Sequence, residues 1–338
     1  MAKTVLVTGG SGFVAGWCIV ELLRRGYAVR ATLRSLSKER SARAAVAAAA
    51  GSGDPLTFCV ADLTDDAGWD AAVAGCDAIL HVASPLGGKT SRDPNALLAP
   101  ARDGTLRVLR AATKAGVARV VVTSAAAAAR PPYGSDAVSD ETVWADPTDR
   151  KWDPYRSSKI LAERAAWDFI AGQVGRTELT TILPSAVFGP VLSTESLGSV
   201  RIIQGLLRGR PPGLPNLGFW VVDVRDLAEL HVRALTSPEA AGQRFIAAGE
   251  FLWMAEIAKT LRAALGSRAE TVPTRRLPNA VVRLLALFLP QLRMLSADLG
   301  RINRLTSDKA RRVLGFAPRP AATTLVDCAE SLLARGLA

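Results

Sequence analysis

Near its start the chain reads Val5-Leu6-Val7-Thr8-Gly9-Gly10-Ser11-Gly12-Phe13-Val14-Ala15, a buried β-type run that passes through a glycine-rich turn straight into an apolar helical pattern. Few folds accept that order. A dinucleotide-binding βαβ unit begins this way: Gly9 takes the tight turn, Gly12 lets backbone amides approach a pyrophosphate, and small Ala15 lets the helix pack close to the sheet. The start of that helix, with Ser11, Phe13 and Val14, presents unpaired N–H groups and a positive dipole end to the phosphates. A glycine turn without a ligand is the alternative, and the strand and helix on its two flanks argue against it.

Short β-branched runs then alternate with longer helical patterns as far as Pro190, the signature of βα units on a parallel sheet. Lys3 to Thr8 predicts the first strand and Gly12 to Arg25 the first helix, stopped by Gly26 where a left-handed residue is favoured. Further strands are expected at Ala28 to Leu33, Leu56 to Ala61, Ala78 to Val82, Val117 to Thr123 and Leu179 to Leu183. Helices are expected at Asn95 to Ala115 and Tyr155 to Gly172, and Ala42 to Ala50 reads as a plain crossover helix because alanine is the best helix former. The pattern implies a Rossmann-type doubly wound α/β fold. Residues 1–190 would form the nucleotide-binding domain, with later segments returning to it, and 191–338 mainly a smaller substrate-binding lobe.

Composition narrows the function. Lys and Arg number 42 against 31 Asp and Glu, a formal net charge of +11, yet the cations are dispersed and no nucleic-acid tail is visible. From Phe251 onward there are 14 cations and 6 anions, so most of the surplus lies in the last quarter, either as a solvated face or as attraction for an anionic cofactor or substrate. Cys18, Cys59, Cys76 and Cys328 show no paired spacing, which fits a reducing cytoplasm. His81 and His231 are the only histidines, too few for a His-rich metal site or a Ser-His-Asp hydrolase, so no metal is expected. No signal-peptide order opens the chain. Ala280 to Leu289, interrupted by Arg283, falls short of the roughly 20 residues of a membrane span and is expected as an amphipathic helix closing part of the core.

The end of the second predicted strand, Ala31-Thr32-Leu33-Arg34, carries no acid to hold a ribose 2′-hydroxyl; Arg34, backed by Lys38, instead favours a 2′-phosphate, hence NADP(H). Asp62-Leu63 closes the third strand, where a carboxylate can accept from an adenine amino group or cap a helix starting at Thr64. Tyr155-Arg156-Ser157-Ser158-Lys159 places a phenol and an ammonium one helical turn apart on one face. Such a cation is expected to bring the phenol from its ordinary value of about 10 toward the working range.

With the turn and this pair in hand, the chain resembles the extended short-chain dehydrogenase/reductase family, in its dihydroflavonol reductase-like and aldehyde or ketone reductase branch, over nearly its whole length. The resemblance also rests on His81-Val82-Ala83-Ser84-Pro85, Gly116-Val117-Ala118-Arg119-Val120-Val121-Val122-Thr123-Ser124, Pro184-Ser185-Ala186-Val187-Phe188-Gly189-Pro190 and Val222-Asp223-Val224-Arg225-Asp226-Leu227-Ala228. It implies a nicotinamide over the sheet edge with Val82, Ala83, Ser84, Pro184 and Val187 near it. Tyr155 would serve as proton donor, Lys159 would also hold the nicotinamide ribose, and the lobe after Pro190 would cover the substrate. The resemblance further implies a small-molecule carbonyl substrate, small to medium-sized and aromatic or natural-product-like among the candidates, and a monomer or homodimer.

One departure stands out. Where the branch carries Thr-Ser-Ser at the end of the fifth strand, and the second Ser bonds the reacting oxygen, this chain has Ala125. Ser124 substitutes only if the strand end bends or slips, because neighbouring strand residues face opposite ways; otherwise it is a buried hydroxyl satisfied by backbone. An altered serine, a substrate polarised by another group, and a non-reducing epimerase, dehydratase or rearrangement chemistry all remain open, as does a nucleotide-sensing protein. Tyr133, Trp152 and Trp220 are weaker candidates for the substrate wall, and His231 is expected to be structural and remote from the site.

Overall fold

The computed structural model describes residues 3–51, 55–85, 97–132, 134–149, 153–194, 197–288 and 297–338. Five βα steps and a sixth strand are built first: β1 (Thr4–Val7), α1 (Phe13–Arg24), β2 (Ala28–Leu33), α2 (Glu39–Ala50), β3 (Leu56–Val60), α3 (Trp69–Val73), β4 (Ala78–His81), α4 (Leu98–Lys114), β5 (Arg119–Thr123), α5 (Pro154–Ala171) and β6 (Glu178–Pro184). The chain continues through β7 (Ala186–Phe188), α6 (Val200–Leu207), β8 (Gly218–Asp223), α7 (Val224–Thr236), β9 (Gln243–Ala247), β10 (Phe251–Trp253) and α8 (Met254–Leu265). Helices α9 (Asn279–Phe288), α10 (Asp308–Leu314) and α11 (Ala321–Ala334) complete the described elements.

Among the described residues β3-β2-β1-β4-β5-β6-β9 form one seven-stranded sheet in which every pairing is parallel. The fold is the Rossmann-type α/β architecture that the alternating pattern predicts. Strand side chains change face at each residue, and burial follows: Val5, Val7, Leu80 and Val121 join one core, with α1 and α7, while Leu6, Ile79, Val120 and Val122 join the other, with α3 and α4. The chain leaves β1 toward β2 and β3, then crosses back to β4, so the strand order reverses between β1 and β4. The crevice at their carboxyl ends is where such sheets receive a ligand.

Strands β10-β8-β7 form a second, three-stranded sheet. Gly218 on β8 is required there, since a Cβ would lie 2.0 Å from the Phe251 ring. That ring stands edge-on to Trp220 and Trp253, at 5.6 and 5.1 Å. The Trp220 indole donates to the Asn303 carbonyl and packs against the buried cluster around Ile160, Leu183 and Ile246. Helix α9 departs from expectation: Val282 and Ala286 are buried, but Leu284, Leu285, Leu287 and Phe288 are exposed, so it closes less of the core than its apolar content suggests. Leu289 lies outside the described residues. No described helix is long and apolar enough to cross a membrane.

A buried ion pair fastens these layers together. Glu163 on α5 accepts from Arg244 Nε on β9 at 2.9 Å, from the Ser124 hydroxyl at 2.6 Å and from the Thr181 hydroxyl of β6 at 2.7 Å. Arg244 also donates to the carbonyls of Ala128, Glu141 and Val143, and its guanidinium stacks 3.7 Å from the Trp144 ring centroid. Every strong hydrogen-bonding group of the pair is therefore used. Glu163→Ala should lower unfolding free energy by about 3–5 kcal/mol, the cost of leaving one buried charge uncompensated. Urea denaturation measures this, and a loss below about 1 kcal/mol would show the pair to be replaceable.

Candidate active site

The glycine turn is shaped by what surrounds it. Gly9 has φ +72°, and a Cβ on it would come within 3.0 Å of the Ala83 Cβ, so both conformation and space call for glycine. Gly10, which the sequence reading left without a role, is equally constrained: its Cβ would lie 2.8 Å from that of Ala31. Thr32 grips the turn from β2, its hydroxyl accepting from the Gly9 amide at 3.0 Å and its carbonyl from the Gly10 amide at 2.8 Å. Gly12 caps α1 in extended conformation and its carbonyl takes the first helical bond, from Gly16. The first-turn amides of Phe13, Val14 and Ala15 then have no acceptor within the helix. Ser11 is half-buried beside them.

At the end of β2, Arg34 is exposed and Lys38 lies in a short 3₁₀ turn, Leu36–Lys38, capped by Ser35. Asp62 does not cap a helix. Its Oδ1 closes a turn by accepting from the Thr64 amide and hydroxyl, both at 2.9 Å, and the next helix starts only at Trp69. Leu63 is pressed against α4 at Gly104, where a Cβ would meet it at 2.6 Å. Pro184 ends β6 and Val187 lies half-buried in β7.

Where β4 ends, a hydrogen-bond chain fixes the next loop. The Thr8 hydroxyl accepts from the amides of Val82 and Ala83 at 3.0 and 2.9 Å, so its own proton goes to His81 Nδ1 at 2.9 Å. His81 Nε2–H must then donate to Thr105 at 3.2 Å, and Thr105 to the Ala101 carbonyl at 2.9 Å. Burial, with the Lys159 ammonium adding to it, holds His81 down to about 3, and the ring stays neutral. Ala83 and Ser84 line a narrow crevice together with His81, Ser124 and Lys159.

Lys159 is buried and donates to the Thr123 carbonyl at 2.8 Å. Desolvation brings its ammonium down to about 8, opposed by Glu163 one turn further on. Tyr155 shares the N-terminal part of α5, whose first turn is capped by Asp153 accepting from the Arg156 amide at 2.9 Å. Although 37% of Tyr155 is exposed, desolvation by surrounding protein and the Asp153 carboxylate push its phenol up to about 12. This runs against the expectation that the ammonium would bring the phenol down: Lys159 is turned to a strand-end carbonyl, and the charge that adds to desolvation at Tyr155 is the Asp153 carboxylate.

Ser124 and Ala125 separate as alternating strand residues do. The Ser124 hydroxyl is committed to the buried Glu163 rather than to backbone, whereas Ala125 is half-buried and extended, at φ −152°, just before the 3₁₀ turn Ala126–Ala129. His231 is not remote. Its Nε2 meets the Thr123 hydroxyl at 2.8 Å, and Nδ1–H donates to the Leu227 carbonyl at 2.8 Å. Asp298, from the C-terminal segment, pairs with Arg130 at 2.6 Å and with Arg156, next to Tyr155, at 3.1 Å. Tyr133 and Trp152 lie outside the described residues.

Sequence reasoning missed Thr8, Thr32, Thr123 and Glu163 as determinants of this site. The available signal was position: each threonine is the last or next-to-last residue of a predicted strand, and Glu163 lies one turn beyond Lys159. The hydrogen-bond directions predict that the two histidines are neutral with opposite tautomers, Nε2–H in His81 and Nδ1–H in His231. Long-range ¹H–¹⁵N spectra between pH 6 and 8 should show one ring of each kind, and two rings of one tautomer would contradict the assigned directions.

Comparison with known proteins fits this geometry. Residues 5–248 match the model of the NAD dependent epimerase/dehydratase family. Cinnamoyl-CoA reductase 1 of Oryza sativa subsp. japonica is 38% identical over 267 residues, covering 77% of this chain and 75% of that protein. A ketoreductase of Aspergillus niger is 34% identical over 356 residues and covers 98% of both chains. Yeast methylglyoxal/isovaleraldehyde reductase complexed with NADPH superposes with a TM-score of 0.80 at 25% identity, covering 99% of this chain and 100% of that one. With a family model matched over most of the chain and relatives aligned over three quarters or more of it, the chain is a member of the NAD dependent epimerase/dehydratase family, an extended short-chain dehydrogenase/reductase of the dihydroflavonol reductase-like branch.

Proposed function

We propose that the protein is an NADPH-dependent reductase of a ketone or aldehyde on a small to medium-sized molecule. One observation carries the reading: Tyr155 and Lys159 lie a helical turn apart on α5, with Lys159 anchored at the carboxyl end of β5 across from the glycine cradle of β1. The names of the relatives, reductases of carbonyl compounds, support the same class.

The cradle fits a dinucleotide. Gly9 and Gly10 let the turn pack tightly against Ala83 and Ala31, which sets the start of α1 at the crevice, and the amides of Phe13, Val14 and Ala15 are available for a pyrophosphate. Ser11 and Gly12 would flank the phosphates, Asp62 and Leu63 the adenine, Arg34 and Lys38 the 2′-phosphate. Val82, Ala83, Ser84, Pro184 and Val187 would line the nicotinamide side, and Lys159 would hold its ribose. When bound, NADPH supplies the hydride. Tyr155, kept protonated by its raised pKa, would donate the proton to the substrate oxygen. The segment after Pro190 would cover the substrate, and a cytoplasmic location suits the unpaired cysteines.

Ala125 favours a second reading, in which nucleotide is bound but not consumed and the chemistry is epimerisation, dehydration or rearrangement. Following NADPH absorbance beside product formation decides between them. Stoichiometric oxidation is expected, and product without net oxidation would reject the reductase. Tyr155→Phe should abolish turnover while leaving NADPH affinity unchanged. Because Lys159 sits near 8, well below a free lysine, reduction should decline as pH rises through that value and the ammonium is lost.

Two substitutions test the details. Arg34→Ala should weaken NADPH by about 1.5–3 kcal/mol, the range for hydrogen bonds to a charged group, and leave NADH nearly unchanged. Equal losses in calorimetric titrations with both nucleotides would remove Arg34 from the phosphate. Ala125→Ser restores the hydroxyl at the position that branch members use, and should raise kcat at least about tenfold with little change in KM, as a transition-state donor does. Unchanged kinetics would put residue 125 outside the reacting site.

A further inference from the structure

Thr123, the last residue of β5, works in two directions. Its carbonyl accepts from Lys159 Nζ and its hydroxyl meets His231 Nε2, each at 2.8 Å. The β4–β5 pairing ends at His81 opposite Val122, one residue short of Thr123. Ala83, beyond that end, sends its amide to Thr8 instead. The peptide that anchors Lys159 is therefore held by the ladder only on the β6 side, where the Ser124 amide donates to the Ile182 carbonyl at 2.8 Å, and lies past the ladder on the β4 side.

His231 supplies a further restraint. It stands on α7, in the core on the opposite face of the sheet from α4, and is fully buried. Nδ1–H is used on the Leu227 carbonyl, so Nε2 carries the lone pair and the Thr123 hydroxyl donates to it. An apolar ring would fill the same space without the desolvation cost of an imidazole. Besides the bond to a carbonyl of its own helix, the imidazole adds an acceptor for Thr123, and a neutral one: burial and the Lys159 ammonium hold His231 down to about 4. A second cation here would repel the first. We infer that His231 is a positioning residue for Lys159, acting through the Thr123 hydroxyl to fix the strand-end carbonyl that holds the ammonium.

This rests on the reading that Lys159 serves the reduction. The charged and titratable groups that face Lys159 are Tyr155 and Glu163 from α5, His81 from β4 and His231 from α7, with Arg244 of β9 neutralising Glu163. Of these, only His231 reaches it through Thr123.

The test uses His231→Phe, which keeps a ring and removes the acceptor, Thr123→Val, which removes the donor at nearly constant shape, and the double variant. His231→Gln returns an acceptor near the Nε2 position. Two quantities are read on the folded proteins: the titration of Lys159 by NMR of ¹³C-lysine-labelled protein without added nucleotide, assigned by its loss in Lys159→Met, and the pH profile of kcat/KM. Each single variant should lower the Lys159 pKa and the alkaline limb of the profile by about half a unit or more, since a hydrogen bond to the charged form is weakened. The double variant should shift them no further, and His231→Gln should restore most of the change. Unaltered titration in both single variants, even with a lowered Tm, would make the contact merely structural and overturn the inference, as would additive shifts. Full turnover in Lys159→Met would instead overturn the reading of Lys159 itself, whatever His231 does.

Discussion

The Glu163–Arg244 pair is the constraint on which the rest of the site depends. Its members come from α5 and β9, and through Ser124, Thr181 and the carbonyls of Ala128, Glu141 and Val143 it also holds β5, β6, the 3₁₀ turn after Ala125 and the loop before Trp144. A buried ion pair gains little net stability over apolar packing, because desolvation offsets the attraction. Its value here is geometric. Glu163 lies one turn from Lys159, so the carboxylate that ties four segments together also opposes the loss of the lysine proton.

Around the carboxyl edge of the sheet a second device recurs. Thr8 at the end of β1, Thr32 on β2 and Thr123 on β5 each put a hydroxyl where the strand ladder gives out, and each hydroxyl bonds a group belonging to a different segment. A strand end has backbone groups without ladder partners, and a buried one must find others. Threonine suits the position because its branched side chain favours extended backbone while its hydroxyl both donates and accepts. The glycine turn, the loop after β4 and the Lys159 anchor are thus held by one residue type in one structural role. Both histidines serve as neutral links in these chains, which is why a protein with two imidazoles keeps each fully buried.

The sequence made the architecture readable because its signals are local. Alternation of strand and helix, glycine after a strand, and Tyr and Lys four residues apart all lie within one or two elements. Boundaries of β2 agree to the residue, and the fifth strand starts two residues later than the apolar run because Gly116 and Val117 still finish the turn from α4. What escaped was long-range. The partners of Glu163 lie up to 81 residues away, and His231 is 108 from Thr123. No periodicity links such positions. The exposed side of α9 escaped for the opposite reason: an apolar pattern shows that a face exists but not whether another element covers it.

Position 125 draws these strands of argument together. Period-two alternation sends Thr123 toward α7 and Ser124 toward α5, and both hydroxyls are then consumed, one by His231 and one by Glu163. A slip by one residue, which would bring Ser124 to the position of Ala125, would take its hydroxyl from Glu163 and break the ladder bond from the Ser124 amide to Ile182 together. Those losses outweigh the gain of one donor. The neighbouring serine is thus held by Glu163, and in the proposed reduction Tyr155 would be left as the donor to the reacting oxygen. A site with one donor in place of two stabilises a developing oxyanion less, by about 2.7–4 kcal/mol when a single well-aimed donor is lost. That deficit falls hardest on carbonyls that need the most polarisation. Within the proposed reductase, the alanine favours intrinsically electrophilic substrates, aldehydes and activated ketones, over unactivated ones.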